Sequence, residues 1–102
     1  MPTATQNDIL AAQFKALSDP NRLQILQMLK DPGGCCSIGK DKGLCACDIE
    51  EKLELSQPTV SHHMKVLREA ELVIGEKVGS WMWYRRNEKA IRDLATALER
   101  SL

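Results

Sequence analysis

Residues 55–67 read LSQPTVSHHMKVL, and the fold turns on how this stretch lies on a helix. Ser56 is a good N-cap and Pro58 is tolerated only in a first turn, so the pattern predicts a helix running to about residue 70. Val60, Met64 and Leu67 recur at i, i+4 and i+7, which makes one apolar stripe for a core. The opposite face carries Gln57, Thr59, Ser61, His62, Lys65 and Arg68, with no acid before Glu69. Such a face suits the major groove of DNA, where Gln, Ser, Thr and His meet base edges and Lys or Arg meets phosphates. Taken alone, the helix reads as an ordinary amphipathic one with a solvated side. Its neighbours change that reading.

Just upstream, residues 48–55 (DIEEKLEL) predict a short helix with Ile49 and Leu53 on one side. Only a tight Leu55-Ser56-Gln57 turn separates the two, the spacing of a helix-turn-helix. Downstream, residues 72–77 and 81–86 flank Val78-Gly79-Ser80 and read as a β-hairpin. Helix, turn, helix, hairpin in that order predicts a mainly α chain with a β-hairpin wing, a winged helix-turn-helix. Arg85 and Arg86 end the second strand, where a solvated strand end and phosphate or minor-groove contact are both reasonable roles. Trp81, Trp83 and Tyr84 are expected to pack the hairpin, and Met28, Met64 and Met82 to fill core or sheet. His62 and His63 point about 100° apart on a helix and make poor joint ligands. His62 is expected to face DNA and His63 to be partly buried against the second or third helix.

Towards the N-terminus, Ile9, Leu10, Phe14 and Leu17 make an amphipathic helix of roughly residues 5–17. Ser18-Asp19-Pro20 starts a second helix, stopped by Asp31-Pro32-Gly33-Gly34. Leu23, Ile25, Leu26, Met28 and Leu29 are apolar on more than one face, so this helix is expected to be central and largely buried. After the hairpin, Asn87 caps a last helix, about 87–101, with a stripe of Ile91, Leu94, Ala95 and Leu98. A domain this small has no obvious place to bury the stripes of its first and last helices, and a homodimer built from them is the natural outlet. The chain thus reads as a single domain, with dimerisation helices at about 5–17 and 87–101. The helix-turn-helix occupies about 47–70, the wing about 72–86, and a cysteine loop 31–47.

The formal charge is zero, which argues against a generally basic nucleic-acid coat. Its distribution is more informative: residues 1–55 carry a net −2, residues 56–86 a net +2, and residues 87–102 balance. The excess lies on the proposed helix and wing, and in a dimer it doubles on one surface. The opening MPTATQNDIL is polar and no apolar run approaches 18 residues, so no membrane association and a cytoplasmic location are expected.

All four cysteines, Cys35, Cys36, Cys45 and Cys47, fall within thirteen positions. A disulfide is disfavoured in a cytosolic chain without an export signal. A structural zinc site usually draws on C-x₂₋₄-C pairs, which neither a vicinal pair nor C-x-C provides. The expectation is a regulated thiolate site for a soft ion, since a helix N-terminus favours the thiolate and thiolates select soft metals and metalloids. No cysteine is followed by an anion-cradling loop ending in Arg, so no enzyme and no catalytic residue is expected.

These pieces together are similar to the ArsR/SmtB family of metal- and metalloid-responsive repressors over nearly the whole chain. The matching stretches are ALSDPNRLQIL at 16–26, LCACDI at 44–49, and LSQPTVSHHMKVL followed by the wing. The resemblance implies a homodimeric winged helix on double-stranded operator DNA, an imperfect palindrome, released when an inducer binds. The C-x-C-D-I element resembles the thiolate site of arsenite/antimonite and cadmium/lead sensors, and departs from both. The arsenite type has a third cysteine where this chain has Glu50, and the cadmium/lead type draws cysteines from an N-terminal extension, whereas residues 1–34 hold none. Cys35 and Cys36 are left to complete the site. The last helix has no His, which disfavours a zinc sensor's site there. Three thiolates from one segment favour As(III) or Sb(III) as inducer, with no organic cofactor; Cd(II)/Pb(II) at four thiolates and a thiol redox switch are the alternatives.

Overall fold

The computed structural model describes residues 5–30 and 43–102. Along the chain run α1 (Gln6–Leu17), α2 (Pro20–Lys30), β1 (Leu44–Cys45), α3 (Ala46–Leu53), α4 (Gln57–Glu69), β2 (Val73–Val78), β3 (Trp81–Arg86) and α5 (Glu88–Ser101). This is the mainly helical, winged helix-turn-helix arrangement that the periodicities predict.

Local polar chemistry fixes most helix boundaries. Thr5 and Asp8 form a reciprocal capping box, each backbone N–H donating 3.1 Å to the other's side chain. The Asp19 carboxylate accepts from the backbone N–H groups of Asn21 and Arg22 at 2.8 and 3.4 Å, starting α2. α3 ends on Glu54 in the left-handed region at φ 54°, and Ser56 caps α4 by accepting from the Thr59 N–H at 3.4 Å. Asn87 accepts from the Ala90 N–H at 3.2 Å, and its own amide donates 2.9 Å to the Glu71 carbonyl, tying the start of α5 to the corner after α4.

Ile25, Ile49, Val60, Met64, Leu67 and Leu72, all at most 1% exposed, bring α2, α3, α4 and the start of the wing onto one core. Each such burial is worth about 1.5–3 kcal/mol against ordering costs of similar size. α2 is less central than its apolar content suggests: Ile25 and Leu29 are buried, but Leu23 is 43% exposed. Its apolar residues outnumber those one core-facing stripe accommodates. On α5, Leu94 is buried in the same core, whereas Leu98 is 52% and Ile9 of α1 42% exposed. The outward stripe is therefore shorter than its sequence pattern. No helix among the described residues is long and apolar enough to cross a membrane.

The hairpin closes through Gly79-Ser80, with Val78 paired to Trp81, so the turn is one residue shorter than expected. Trp81, beside the turn, is 55% exposed, less covered than the packing role expected of it requires. Tyr84 is buried and Trp83 half-buried, as expected. The sequence reading missed β1: Leu44 and Cys45 pair antiparallel with Tyr84 and Trp83, giving the sheet order β1-β3-β2. Gly43 permits this approach, since at φ 93° a Cβ would overlap the Tyr84 carbonyl.

His63 joins α4 to α2. It is 7% exposed, and its Nδ1 lies 3.1 Å from the Arg22 guanidinium, accepting as the neutral ring. Arg22 also donates 2.6 Å to the Ala16 carbonyl, closing the end of α1. Burial depresses the His63 pKa below 6.5, the charges of Arg22 and His62 add to this, and Asp19 opposes it. The unfolded chain then binds the extra proton, so this stabilisation is present above about pH 6.5 and is lost as pH falls through the depressed folded value. The urea midpoint is expected to drop between pH 7.5 and 5. A His63→Gln variant, whose amide oxygen still accepts from Arg22, is expected to lose that part of the slope.

Candidate nucleic-acid interface and thiolate cluster

α4 buries Val60, His63, Met64 and Leu67 and leaves Gln57, Thr59, Ser61, His62, Lys65 and Arg68 exposed. All six candidate DNA-facing residues therefore lie on the solvent side of a 13-residue helix, about 20 Å long at 1.5 Å per residue. They do not form one uniform surface. Arg68 leans towards the wing: a Cβ on Gly75 would lie 3.1 Å from the Arg68 Cδ and 2.7 Å from the Met82 Cε. Gly75 thus leaves room for the Arg68 stem beside Tyr84. Burial raises the Tyr84 pKa, with the Arg68 charge opposing. His62 lies on the other flank, lining a groove with α1 and α2.

The paired wing arginines divide as alternate strand residues must. Arg85 is exposed. Arg86 turns inward, its Nε 2.9 Å from the Glu88 carboxylate and its side chain 15% exposed. Among the described residues Arg85 forms no ion pair, while Arg86 anchors the first turn of α5.

Cys45 and Cys47 straddle the junction of β1 and α3. Cys45 is fully buried at the N-cap of α3, while Cys47, two residues on, reaches solvent. Their Cα atoms are 5.4 Å apart and the structure joins their sulfurs as a disulfide, where the sequence reading disfavoured one. The physical reason is local: extended backbone at Cys45 followed at once by helical backbone turns both side chains to the same side. That proximity equally suits two thiols sharing one ion. The Cys45 Sγ lies 3.2 Å from the Asp48 Oδ2, within reach of a bond that a free Cys45 thiol would donate to the carboxylate. The two sulfurs and the Asp48 carboxylate lie within 4.8 Å of one another. Asp48, 2% exposed, was absent from the expected ligand set. Its signal was present in the C-x-C-D spacing, which puts residue i+3 of a first turn back beside the N-cap. Cys35 and Cys36 lie outside the described residues.

Cys47 also opens on a cavity of about 340 Å³ lined by Ala46, Glu50, Gln57, Ser80, Trp81 and Met82. Through it the thiol pair adjoins both the start of α4 and the tip of the wing.

Residues 19–74 match a family described as bacterial regulatory protein, arsR family. The chain is 41% identical over 91 residues to the HTH-type transcriptional regulator YbzH of Bacillus subtilis, covering 84% of this chain and 91% of that one. It is 44% identical over 85 residues to the arsenical resistance operon repressor of Staphylococcus aureus, covering 83% and 72%. Its fold matches the homodimeric winged helix-turn-helix DNA-binding domain of a possible ArsR-family regulator of Mycobacterium bovis with a TM-score of 0.69. That match has 23% identity and covers 99% of this chain and 90% of that one.

The residue types on the exposed face of α4 predict two kinds of contact with DNA. Ser61→Ala is expected to relax sequence preference, costing about 0.5–1.5 kcal/mol on the best site and less on others. Lys65→Gln is expected to weaken all duplexes alike and to lower the salt slope by about 0.9 for each phosphate no longer neutralised. Anisotropy titrations on the chain's own promoter fragment and on random duplex separate these outcomes.

Proposed function

The chain belongs to the arsR family of bacterial regulatory proteins, and from that premise we propose that it is a homodimeric repressor released from its operator by As(III) or Sb(III) at cysteine thiolates. The single observation that carries the inducer reading is the cluster of Cys45, Cys47 and Asp48 within 4.8 Å at the β1–α3 junction. The two adjacent sulfurs are the soft donors that suit a thiophilic ion, with the harder Asp48 oxygen beside them. Cys35 and Cys36, outside the described residues, are the candidates for a third thiolate.

The repressing form follows from the faces already described. Two copies joined through α1 and α5 would bury the exposed Ile9 and Leu98. They would present two α4 helices to successive major grooves about 34 Å apart on an imperfect palindrome. Gln57, Thr59 and Ser61 would meet base edges, with Lys65 and Arg68 at phosphates and Arg85 reaching the backbone from the wing.

The switch follows from where the sulfurs sit. Cys45 belongs to the sheet, paired with Trp83 of the wing, whereas Cys47 belongs to the first helix of the helix-turn-helix. Cys45 and Cys47 would hold the ion, which would supply a soft acceptor for their thiolates. Asp48 is placed to take the Cys45 thiol proton at Oδ2 as the sulfur becomes a thiolate. Fixing Cys47 relative to Cys45 sets the angle between α3 and the wing, and α3 carries α4 with it through Ile49. Moving such an equilibrium from 1:99 to 99:1 takes about 5.5 kcal/mol of differential binding.

One observation favours a second reading. The sulfurs of Cys45 and Cys47 are joined, so a thiol redox sensor would use the same residues, with an oxidant in place of a metalloid. Cd(II) or Pb(II) would draw on the same cluster with more thiolates.

Cys47→Ser is expected to keep promoter affinity within about threefold, a change of under about 0.7 kcal/mol, and to abolish release by arsenite. Normal arsenite response in that variant would remove the cluster from the mechanism. Release of the unmodified protein by Cd(II) or Pb(II) alone would reassign the inducer, and release by peroxide alone would make the pair a redox switch.

A further inference from the structure

The flank of α4 away from the wing holds a groove of about 620 Å³ between α1, α2 and α4. Lys15 of α1, Arg22 of α2 and His62 of α4 line it, with Val66 on its wall and Glu69 the acid among its described lining residues. The described ion pairs are Arg86–Glu88 and Lys89–Asp93, so the Lys15 ammonium has no acidic partner among the described residues. Arg22 is held rigidly by the Ala16 carbonyl and His63. The nearby Asp19 carboxylate is occupied by two backbone N–H groups.

A helix with its side chains is about 10–12 Å across, and the major groove it enters is about 12 Å wide and walled by phosphates on both sides. An α4 seated there must have a sugar-phosphate backbone along each flank. On one flank stands the wing, against which Arg68 leans. On the other stands the groove just described.

We infer that this groove is a second phosphate-binding surface, in which Lys15 contacts the DNA backbone opposite the wing and Arg22 and His62 position it. The inference rests on the reading of α4 as the groove-entering helix. It takes His62 from the base-reading set to the backbone set, because His62 shares its wall with α1 and α2. It also extends the DNA contact surface beyond the helix-turn-helix and wing into α1. The occupant is the phosphodiester backbone of the operator, matched by charge and independent of base sequence.

The test is the salt dependence of binding to the promoter fragment and to random duplex, by anisotropy from 50 to 300 mM salt. Lys15→Gln, Lys15→Arg, Lys65→Gln and, as a remote control, Lys89→Gln are compared with the unmodified protein. Each phosphate contact contributes about 0.9 to the slope of log K against log salt. Lys15→Gln is expected to flatten the slope by about 1.8 for a two-protomer complex, equally on both duplexes, with Lys15→Arg restoring it and Lys89→Gln leaving it unchanged. A Lys15→Gln slope equal to that of Lys89→Gln, with Lys65→Gln still flattened, would overturn the inference and leave the α4 reading intact. If Lys65→Gln also changed nothing, the α4 reading would fail, and the inference with it.

Discussion

The contact on which the rest of the structure depends is the seam where α3 and α4 meet the base of the wing. Ile49, Met64, Leu67 and Leu72 are each completely buried there, and Val60 is 1% exposed. These side chains leave α4 little freedom to roll, because rolling would expose Met64 or Leu67 and cost about 1.5–3 kcal/mol for each. The polar face of α4 is thereby aimed by what its other face buries. The turn before it, with Glu54 in a left-handed conformation and Ser56 as cap, sets only the angle at which the chain arrives.

The second constraint is the pairing of Leu44 and Cys45 with Tyr84 and Trp83. It adds a strand pairing to the contacts that β3 already makes with α2 and α3 and that β2 makes with α4. With it, the second wing strand lies between β1 and β2, and the residue immediately after β1 opens α3. Sheet and helix-turn-helix are thus joined across one peptide, flanked by two cysteines. Under the proposed function, a change in how those sulfurs are held would act at the junction of the sheet and the helix-turn-helix, a short mechanical path to the exposed face of α4.

Electrostatics distribute the work around α4. The zero net charge of the chain conceals a local excess on the helix and wing, and the fold sorts that excess further. Among the described residues Arg86 is withdrawn to Glu88 and Arg22 is held by a carbonyl and a histidine, while Lys65, Arg85 and Lys15 are exposed. In the proposed complex those exposed cations would give affinity that salt can screen.

The helices and the caps Ser56 and Asn87 were legible in the sequence because they depend on residues three or four apart: Ser56 with Thr59, Asn87 with Ala90. So was the polar face of α4, since its 3.6-residue period separates buried Val60, Met64 and Leu67 from exposed Ser61 and Lys65 without reference to any other segment. The wing was legible to within a residue at its turn, and the membership of a family of DNA-binding regulators followed from motifs that are contiguous. Only the tertiary structure decided that Cys45 lies in a strand, that Arg86 is withdrawn while Arg85 is not, and that His62 faces a groove with α1. Each of these depends on an approach of separate segments or on the direction of one side chain. A two-residue strand has no period to detect, and its partner lies some forty residues away.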